Sequence, residues 1–285
     1  MDISIIIVSY NTAALTLKCL ASLQKADGLT KEIFVVDNAS TDQSVEAIRT
    51  QFPAINLTVN KDNRGFGAAN NQALKECQGH YVIFLNPDTT VKPDTLQNAL
   101  VFMDANQSIG LAGAKILNPD GTLQESVSYR YPGEKFASRE TAHLTGDIAC
   151  VLGAFMIARK SLLDELHGFD EDFFLYGEDQ DLAWRIREKG FFIGYIENAE
   201  VLHWGGQSEA GTPPTTLFEK KLKAEYLFYA KHYKPKTITR IKKAEKLKAI
   251  FRLATLKTSL PFSLNKKKVQ NKIDRYKLIY KMSST

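Results

Sequence analysis

The segment from Gly168 to Leu182 contains the densest group of side chains that could carry out acid–base chemistry. Six acidic residues lie within twelve positions and alternate with aromatic residues. Neighbouring carboxylates and apolar walls move a carboxyl pKa towards the range in which a general base works, and Asp179 is the candidate base. Asp181 and Arg185 have the i, i+4 spacing of an ion pair on the helix predicted from Leu182 onward. The alternative is that these acids only complement the positive end of that helix.

A second candidate group follows a buried strand at Asn86-Pro87-Asp88. An exposed carboxylate at a strand end can bind a hard divalent cation, which keeps several waters and takes other ligands from substrate phosphates. Asp88 is therefore the first candidate metal ligand. His203, after another strand-like segment, could supply a second ligand, although a single histidine more often has a structural role.

Polar residues also follow each of the first strands, at Ser9-Tyr10-Asn11, Asp37-Asn38, Asp62-Asn63 and Asn86-Pro87-Asp88. In an open parallel sheet, ligands bind outside the carboxyl ends of the strands. Together these turns could hold a base, a ribose and a diphosphate. The alternative for each single position is a helix cap, since Asp, Asn and Ser favour that place.

The elements that would position these residues alternate between β-branched apolar runs and amphipathic helical patterns, which predicts an α/β fold with a mainly parallel sheet. The second helix is expected to start at Ser40 and Thr41, two capping-type residues. The predicted strands are 3–9, 32–36, 55–60 and 81–85, and the predicted helices are 12–24, 41–50, 68–78 and 93–105.

After residue 105 the pattern changes to shorter strands separated by turns such as Asn118-Pro119-Asp120-Gly121, and this mixed half runs to about residue 206. Beyond Thr212-Pro213-Pro214 the composition shifts to Lys, Leu, Ile and Tyr at helical spacing, so a domain boundary is expected near residue 210. Helices are predicted at 215–233, 237–256 and 268–281, with apolar stripes that include Ile238, Ile241, Leu247 and Phe251, then Ile273, Tyr276, Ile279 and Tyr280.

The net charge of +5 conceals two oppositely charged parts. Residues 219–285 hold 20 Lys and Arg against 4 Asp and Glu, whereas residues 1–218 hold 17 against 28. Basic amphipathic helices suit the surface of an anionic membrane, and a solvated helical face packed on the catalytic part is the alternative. Nucleic acid is not expected as a partner, because the lysines lack an interleaved stacking pattern.

The sequence also indicates where the protein works. No run approaches the roughly 20 apolar residues of a membrane-spanning helix. The start, Met1-Asp2-Ile3, lacks a basic leader and cleavage site, so a cytoplasmic protein is expected, peripheral on the inner face of the cell membrane if the tail binds lipid. Cys19, Cys77 and Cys150 are far apart in apolar or helical contexts, which predicts buried thiols rather than a disulfide or zinc site.

Several motifs in order resemble the inverting family 2 glycosyltransferases of the type A fold, specifically the rhamnosyltransferase-like branch. The resemblance runs from residue 3 to about residue 206. It is carried by the opening strand Ile5-Ile6-Ile7-Val8-Ser9-Tyr10-Asn11, by Val35-Val36-Asp37-Asn38-Ala39-Ser40, by Asn63-Arg64-Gly65-Phe66-Gly67-Ala68-Ala69-Asn70-Asn71, by Leu85-Asn86-Pro87-Asp88, by Gly153-Ala154-Phe155-Met156 and by Tyr176-Gly177-Glu178-Asp179-Gln180-Asp181-Leu182. Asn86 stands where the family has the first acid of its Asp-x-Asp metal motif, which leaves most of the metal binding to Asp88.

The resemblance implies roles for these residues. The position of Asp179 serves as base, and Asp88 with His203 would bind Mg²⁺ or Mn²⁺. The glycines of the N-x-G-F segment would let backbone approach the nucleotide. Donor contacts are expected from Ser9, Tyr10, Asn11, Asp37, Asn38, Asn63, Arg64, Gly65, Asn70 and Asn86, and acceptor contacts from Gly153, Ala154, Tyr176, Glu178 and Trp204.

The implied activity is inverting transfer of a sugar, L-rhamnose from dTDP-rhamnose, to a saccharide or lipid-linked glycan in cell-surface polysaccharide synthesis. Residues 1–105 would form the nucleotide-binding half, residues 106–210 the acceptor and metal half, and residues 211–285 a basic helical extension. One rival is a family 2 enzyme that uses a UDP-hexose or UDP-N-acetylhexosamine. Another is a module that binds nucleotide sugars without catalysis, and the intact candidate base argues against it.

Overall fold

The computed structural model describes residues 1–26 and 28–284, with the side chain of Ser208 left out. The chain divides into two compact units. The first comprises residues 1–131 and 144–208, and the second comprises residues 132–143 and 209–285. The predicted boundary near residue 210 lies close to this division, but no sequence signal indicated that 132–143 joins the second unit. The roles assigned to the parts of the chain remain a prediction.

The first unit is built on an eight-stranded sheet. In order across the sheet, the strands are β3 (Asn56–Val59), β2 (Lys31–Asp37), β1 (Ile3–Ser9), β4 (Tyr81–Leu85), β9 (Phe155–Arg159), β6 (Ile109–Leu117), β10 (Phe192–His203) and β5 (Thr89–Val91). Strands β1 to β4 run parallel, and β9 runs antiparallel to both of its neighbours. This arrangement confirms the predicted mostly parallel sheet with a mixed second half. Two further strands, β7 (Val127–Ser128) and β8 (Cys150–Val151), form a separate pair.

Both faces of the sheet are covered, as parallel sheets require. Successive residues of β1 alternate between two apolar clusters: Ile5 and Ile7 lie in one, and Ile6 and Val8 lie in the other. All seven residues of β1 are buried, which explains its continuous apolar sequence. The three cysteines are buried free thiols, as predicted.

The helices of the first unit begin or end a few residues away from several predicted limits. The predicted start of the second helix at Ser40 and Thr41 was wrong, because both residues form hydrogen bonds with Asn11. The helix begins instead at Ser44, whose N–H donates to the Asp42 carboxylate. The helices are α1 (Ala13–Gln24), α2 (Ser44–Gln51), α3 (Phe66–Leu74), α4 (Thr95–Ala105), α6 (Lys160–Glu165) and α7 (Glu178–Glu188).

The second half of the sheet does not consist only of shorter strands. Strand β6 has nine residues and β10 has twelve, and they pair in parallel with a break in register between Ile196 and Glu200. The predicted turn after β6 is present: Asn118 donates its N–H to the Thr122 carbonyl, and the Asp120 carboxylate accepts the Thr122 N–H.

The second unit is helical, as predicted, with α5 (Ser138–Thr141), α8 (Pro214–His232), α9 (Pro235–Ser259) and α10 (Lys266–Met282). Tyr233 donates its hydroxyl to the Pro132 carbonyl at 2.6 Å, and Thr237 donates to Glu140 at 2.5 Å, so segment 132–143 is held to the helices. The predicted apolar stripe of α9 splits, because Ile241 is buried whereas Leu247 and Phe251 are exposed. In the part of the chain that the structure describes, no helix has the length and apolarity needed to cross a membrane.

Candidate active site

The turn after β1 is fixed by hydrogen bonds to the neighbouring turn. Ser9 pairs with Asp37 in the β1–β2 register, and its buried hydroxyl lies 3.2 Å from Thr12 and 3.0 Å from Thr16, on the side of α1. Asn11 has a positive φ of 52°, and its side-chain oxygen accepts the Thr41 N–H at 2.8 Å. The first two strand ends therefore form one connected surface.

Asn38 organises the loop that follows β3. Its amide nitrogen donates to Asn63 Oδ1 at 2.8 Å and to the Gly65 carbonyl at 3.2 Å. Its oxygen accepts the Arg64 N–H at 3.0 Å and the Asn60 amide at 3.1 Å. With all of its polar capacity used inside the protein, Asn38 shapes the predicted donor loop.

The two glycines of the loop lie against the acidic and aromatic segment. Gly65 has a φ of +84°, and a Cβ there would lie 2.5 Å from the Phe174 carbonyl, which accepts the Phe66 N–H at 2.9 Å. A Cβ on Gly67 would lie 3.0 Å from the Phe169 Cβ. The space beside both glycines is filled by the acidic and aromatic segment, so these glycines position that segment against the start of α3.

Among the residues that the structure describes, two buried oxygens at this edge of the sheet have no hydrogen-bond partner. Asp37 Oδ1 accepts the Ser40 N–H at 2.9 Å, but the buried Oδ2 is unpaired. The Asn70 amide nitrogen donates to the Phe66 carbonyl at 2.9 Å, while its oxygen is unpaired. Because buried polar atoms are normally satisfied, these oxygens are available to a ligand.

The predicted metal ligands lie together. His203 Nε2 is 3.4 Å from Asp88 Oδ1, both side chains are almost fully buried, and Asn86 Nδ2 is 3.4 Å from the same ring nitrogen. The backbone holds this group because Trp204 donates its N–H to the Asp88 carbonyl at 3.0 Å. Among residues 1–26 and 28–284, no cluster of three His, Cys, Asp or Glu side chains could hold a metal ion.

Gln124 is a residue at this group that the sequence analysis missed. Its side-chain oxygen lies 2.7 Å from His203 Nδ1. An amide oxygen only accepts hydrogen bonds, so His203 Nδ1 is the donor in this contact, and Nε2 is the ring nitrogen on the side of Asp88. Gln124 stands just after the turn at 118–121, 79 positions before His203, and no local sequence signal connects the two residues.

The predicted base is linked to the Asp88 group by the Gly153-Ala154 turn. Asn86 donates its N–H to the Ala154 carbonyl at 3.0 Å. The Asp179 side chain lies beside this turn, since a Cβ on Gly153 would lie 3.9 Å from the Asp179 Cβ and 4.0 Å from Asp179 Oδ2. A short path of contacts therefore runs from Asp88 through Asn86 and this turn to Asp179.

Burial changes the acidity of the two carboxylates at the start of α7. It raises the pKa of Glu178 to about 8, with the neighbouring Asp179 charge as the next cause, and it also raises the pKa of Asp179. Glu178 Oε2 is buried and has no hydrogen-bond partner within residues 1–26 and 28–284. Asp181, in contrast, forms the predicted ion pair with Arg185 at 2.8 Å. The first turn of α7 thus combines a paired structural acid with two carboxylates whose charge burial disfavours.

The remaining predicted contact residues surround these groups. Tyr10 is half-buried directly after β1, and Arg64 is exposed in the loop that Asn38 shapes. Tyr176 precedes α7 with a φ of +70°, which fixes the direction in which the chain enters that helix. Trp204 follows the Asp88–His203 pair, and the Lys18 ammonium lies 6.0 Å from the centre of its ring.

Comparison with known proteins agrees with this architecture. The sequence profile described as "Glycosyl transferase family 2" matches residues 4–167. A relative in Mycobacterium tuberculosis, N-acetylglucosaminyl-diphospho-decaprenol L-rhamnosyltransferase, is 27% identical over 263 residues, which cover 79% of this chain and 83% of that protein.

Two solved structures share the fold. The mannosyltransferase PcManGT from Pyrobaculum calidifontis in complex with GDP-Man and Mn²⁺ superposes with a TM-score of 0.61 at 19% identity, covering 99% of this chain and 86% of that chain. Residues 1–349 of TarS from S. aureus in complex with UDP-GlcNAc superpose with a TM-score of 0.55 at 22% identity, covering 80% of this chain and 66% of that chain. The extent of the profile match and the shared type A fold establish that the chain belongs to glycosyl transferase family 2.

Proposed function

We propose that the protein is an inverting, metal-dependent glycosyltransferase that moves L-rhamnose from dTDP-rhamnose to a lipid-linked glycan. The observation that supports the proposal is the path of contacts from the Asp88–His203 pair to Asp179. The candidate metal-binding carboxylate and the candidate base lie at the two ends of one short turn, and burial raises the pKa of Asp179.

The donor nucleotide binds at the carboxyl ends of β1 to β3. The unpaired Asp37 Oδ2 accepts a hydrogen bond from the base or the ribose, which satisfies a buried atom that the protein leaves open. Tyr10 supplies an aromatic surface beside it, and Arg64 brings a positive charge to the diphosphate. Asn38 holds the loop in the required shape without contacting the ligand itself.

The residues at the end of β4 fit a divalent cation. Asp88 would provide a carboxylate oxygen, His203 would provide its Nε2, and Gln124 would hold the imidazole ring through Nδ1. When bound, Mg²⁺ or Mn²⁺ supplies positive charge that offsets the charge developing on the departing diphosphate.

Asp179 takes the proton from an acceptor hydroxyl. The acceptor oxygen forms a bond to the anomeric carbon while the bond to the diphosphate oxygen breaks, and the departing nucleoside diphosphate keeps the electron pair. The raised pKa of Asp179 makes its carboxylate a stronger base than a solvated one. A single displacement of this kind inverts the anomeric configuration.

The relative with a rhamnosyltransferase name supports the donor and acceptor assignment, since it aligns over most of both chains. A UDP-N-acetylhexosamine is the second candidate donor, because the TarS structure of the same fold contains UDP-GlcNAc. The two donors differ in both the base and the sugar.

The test is turnover with a panel of dTDP-rhamnose, UDP-GlcNAc and UDP-glucose, each with and without Mn²⁺. The acceptor is a short-chain lipid diphosphate that carries N-acetylglucosamine. We expect release of dTDP only with dTDP-rhamnose, loss of turnover in a chelator, and a product with the anomeric configuration opposite to that of the donor by NMR.

Turnover restricted to a UDP-sugar would replace the donor assignment and leave the mechanism in place. A retained configuration would refute the single displacement. Thermal stabilisation by a nucleotide sugar without any turnover, tested against several acceptors, would identify a binding module instead of an enzyme.

A further inference from the structure

One face of α9 is apolar and exposed. Ala249 and Leu256 lie seven positions apart on the buried face of the helix, where α10 packs against α9. Leu247, Ile250 and Phe251 lie at i, i+3 and i+4 on the opposite face, and all three are exposed. These three residues make up what we call the α9 face, and they contribute little to the core of the helical unit.

The apolar surface continues into the α9–α10 corner, which we define as residues 260–265. Phe262 is 89% exposed, and Leu264 is fully exposed. Such residues at a sharp turn are unusual on a soluble protein, because two large apolar side chains are held in water at one point. The corner has a defined conformation, since Asn265 caps α10 by accepting the Lys268 N–H at 2.9 Å.

The same stretch of chain carries only positive charge. Residues 246–273 contain eight Lys and Arg and no Asp or Glu. Lys266, Lys267 and Lys268 are exposed immediately after the corner. A surface with exposed Phe, Leu and Ile side chains and lysines on its border matches an anionic lipid interface, where the apolar groups enter the acyl region and the ammonium groups meet lipid phosphates.

We propose that the α9 face and the α9–α10 corner form a docking surface for an anionic lipid bilayer. Phe262 and Leu264 insert below the headgroups, and Lys266 to Lys268 bind lipid phosphates. The sequence suggests a membrane contact for the whole basic tail; the structure assigns it to one helix face and one corner. The surface would keep the enzyme at the membrane that carries a lipid-linked acceptor, and in this sense it extends the proposed function.

Other partners fit this surface less well. A second copy of the chain would place two positive surfaces against each other, which costs electrostatic energy. Nucleic acid would use the lysines, but aliphatic side chains such as Leu264 and Ile250 offer its bases no stacking surface. A bilayer satisfies the charged and the apolar groups together.

The test is co-sedimentation of the full chain with vesicles of phosphatidylcholine mixed with phosphatidylglycerol, compared with vesicles of phosphatidylcholine alone. We expect binding to the anionic vesicles that weakens as salt is added. The double variant Phe262→Ser with Leu264→Ser should bind about tenfold or more weakly, because two apolar side chains no longer leave water. The matched control is Val101→Ser with Leu123→Ser, which removes two similarly exposed apolar residues from the first unit.

The charge is tested separately with Lys266→Gln, Lys267→Gln and Lys268→Gln combined, against Lys25→Gln, Lys75→Gln and Lys189→Gln, which are also exposed. Only the first set should lower the salt-sensitive part of binding. Binding of the Phe262 and Leu264 variant equal to wild type would overturn the proposal, as would a dimer in solution that the same variant dissociates. Turnover with a detergent-free, water-soluble acceptor analogue should stay unchanged in all of these variants, so a failure of lipid binding is distinguishable from a failure of the proposed activity.

Discussion

The loop organised by Asn38 and the first turn of α7 differ in how far their polar side chains are satisfied by hydrogen bonds within the protein. Asn38 makes four hydrogen bonds to the loop at 60–65, so its polar groups are fully satisfied by the protein. Glu178 and Asp179 are carboxylates whose charge is disfavoured by burial, and Glu178 Oε2 has no hydrogen-bond partner in the described part of the chain. The hydrogen bonds of the first region fix the conformation of its loop. The second region leaves carboxylate oxygens available to a ligand or a proton.

The difference indicates where function and stability separate. A buried polar group that is satisfied within the protein stabilises one conformation, whereas a buried group without a partner costs stability. Substitutions in the Asn38 loop should therefore act through folding, and substitutions in the acid pair should change activity or its pH dependence while the fold stays intact. The following predictions test this contrast.

The largest effect is expected for Asp179→Asn. The amide keeps the shape of the side chain but cannot take a proton, so kcat should fall about 10²–10⁴-fold. The melting temperature should stay the same or rise, because a buried carboxylate is replaced by a neutral group. Steady-state kinetics and thermal unfolding on the same samples measure both quantities.

Asp172→Asn serves as the control, since it removes a carboxylate from the exposed part of the same segment. It should keep near wild-type kcat. Activity of Asp179→Asn at the level of this control, with an unchanged melting temperature, would remove Asp179 from the role of base.

A smaller effect is expected for Gln124, which contacts the candidate metal ligand His203. Gln124→Leu removes the oxygen that holds His203 in one tautomer, and loss of such a support typically weakens metal binding about 10–100-fold. The affinity for Mn²⁺ in the presence of nucleoside diphosphate, followed by EPR of the free ion, measures this without any turnover. Gln124→Glu keeps an acceptor oxygen and should recover most of the affinity.

Exposed Gln107→Leu is the matched control and should bind Mn²⁺ as wild type does. If Gln124→Leu binds Mn²⁺ as tightly as the control does, His203 does not depend on Gln124 for its orientation, or it is not a ligand. Comparison with His203→Ala separates these two explanations, because only a ligand loses affinity when it is removed.

The Asn38 loop is tested by two glycines with the same backbone conformation. Gly65 and Gly190 have φ angles of +84° and +85°, so an alanine is strained at both positions by about 1–2 kcal/mol. At Gly65 the new Cβ would also lie 2.5 Å from the Phe174 carbonyl, whereas nothing lies within 4 Å at Gly190. Gly65→Ala should therefore cost about 1–3 kcal/mol more in the free energy of unfolding, measured by urea denaturation. Equal losses would mean that the Phe174 segment moves aside freely.

The sequence predicted the parts of the site that depend on local order along the chain. Apolar periodicity placed β1 to β4 and therefore the strand-end turns, and the i, i+4 spacing predicted the Asp181–Arg185 pair. It did not predict that Gln124 would support His203, or that Phe174 would fill the space beside Gly65, because these contacts join residues about a hundred positions apart. It also misjudged α2, where Ser40 and Thr41 bond Asn11 instead of capping the helix.

The smallest effect concerns the way in which the stability of the folded state depends on pH. The folded pKa of Glu178, about 8, lies above its ordinary value of 4.5, so the folded state holds a proton that the unfolded state has lost between these two pH values. The stability contribution of the protonated group is therefore complete below pH 4.5 and is lost as the pH rises through about 8. Glu178→Gln stays neutral throughout and should not show this loss.

The melting temperature of Glu178→Gln should therefore exceed that of wild type by a margin that widens between mildly acidic and mildly alkaline buffer. Each kcal/mol by which ionisation of Glu178 destabilises the folded state lowers the melting temperature by about 2–4 °C for a unit of this size. Exposed Glu76→Gln should give a difference that does not change with pH. A constant difference for Glu178→Gln as well would show that the carboxylate finds a partner or water when it ionises. The first turn of α7 would then be as well satisfied as the Asn38 loop, and the contrast between the two regions would disappear.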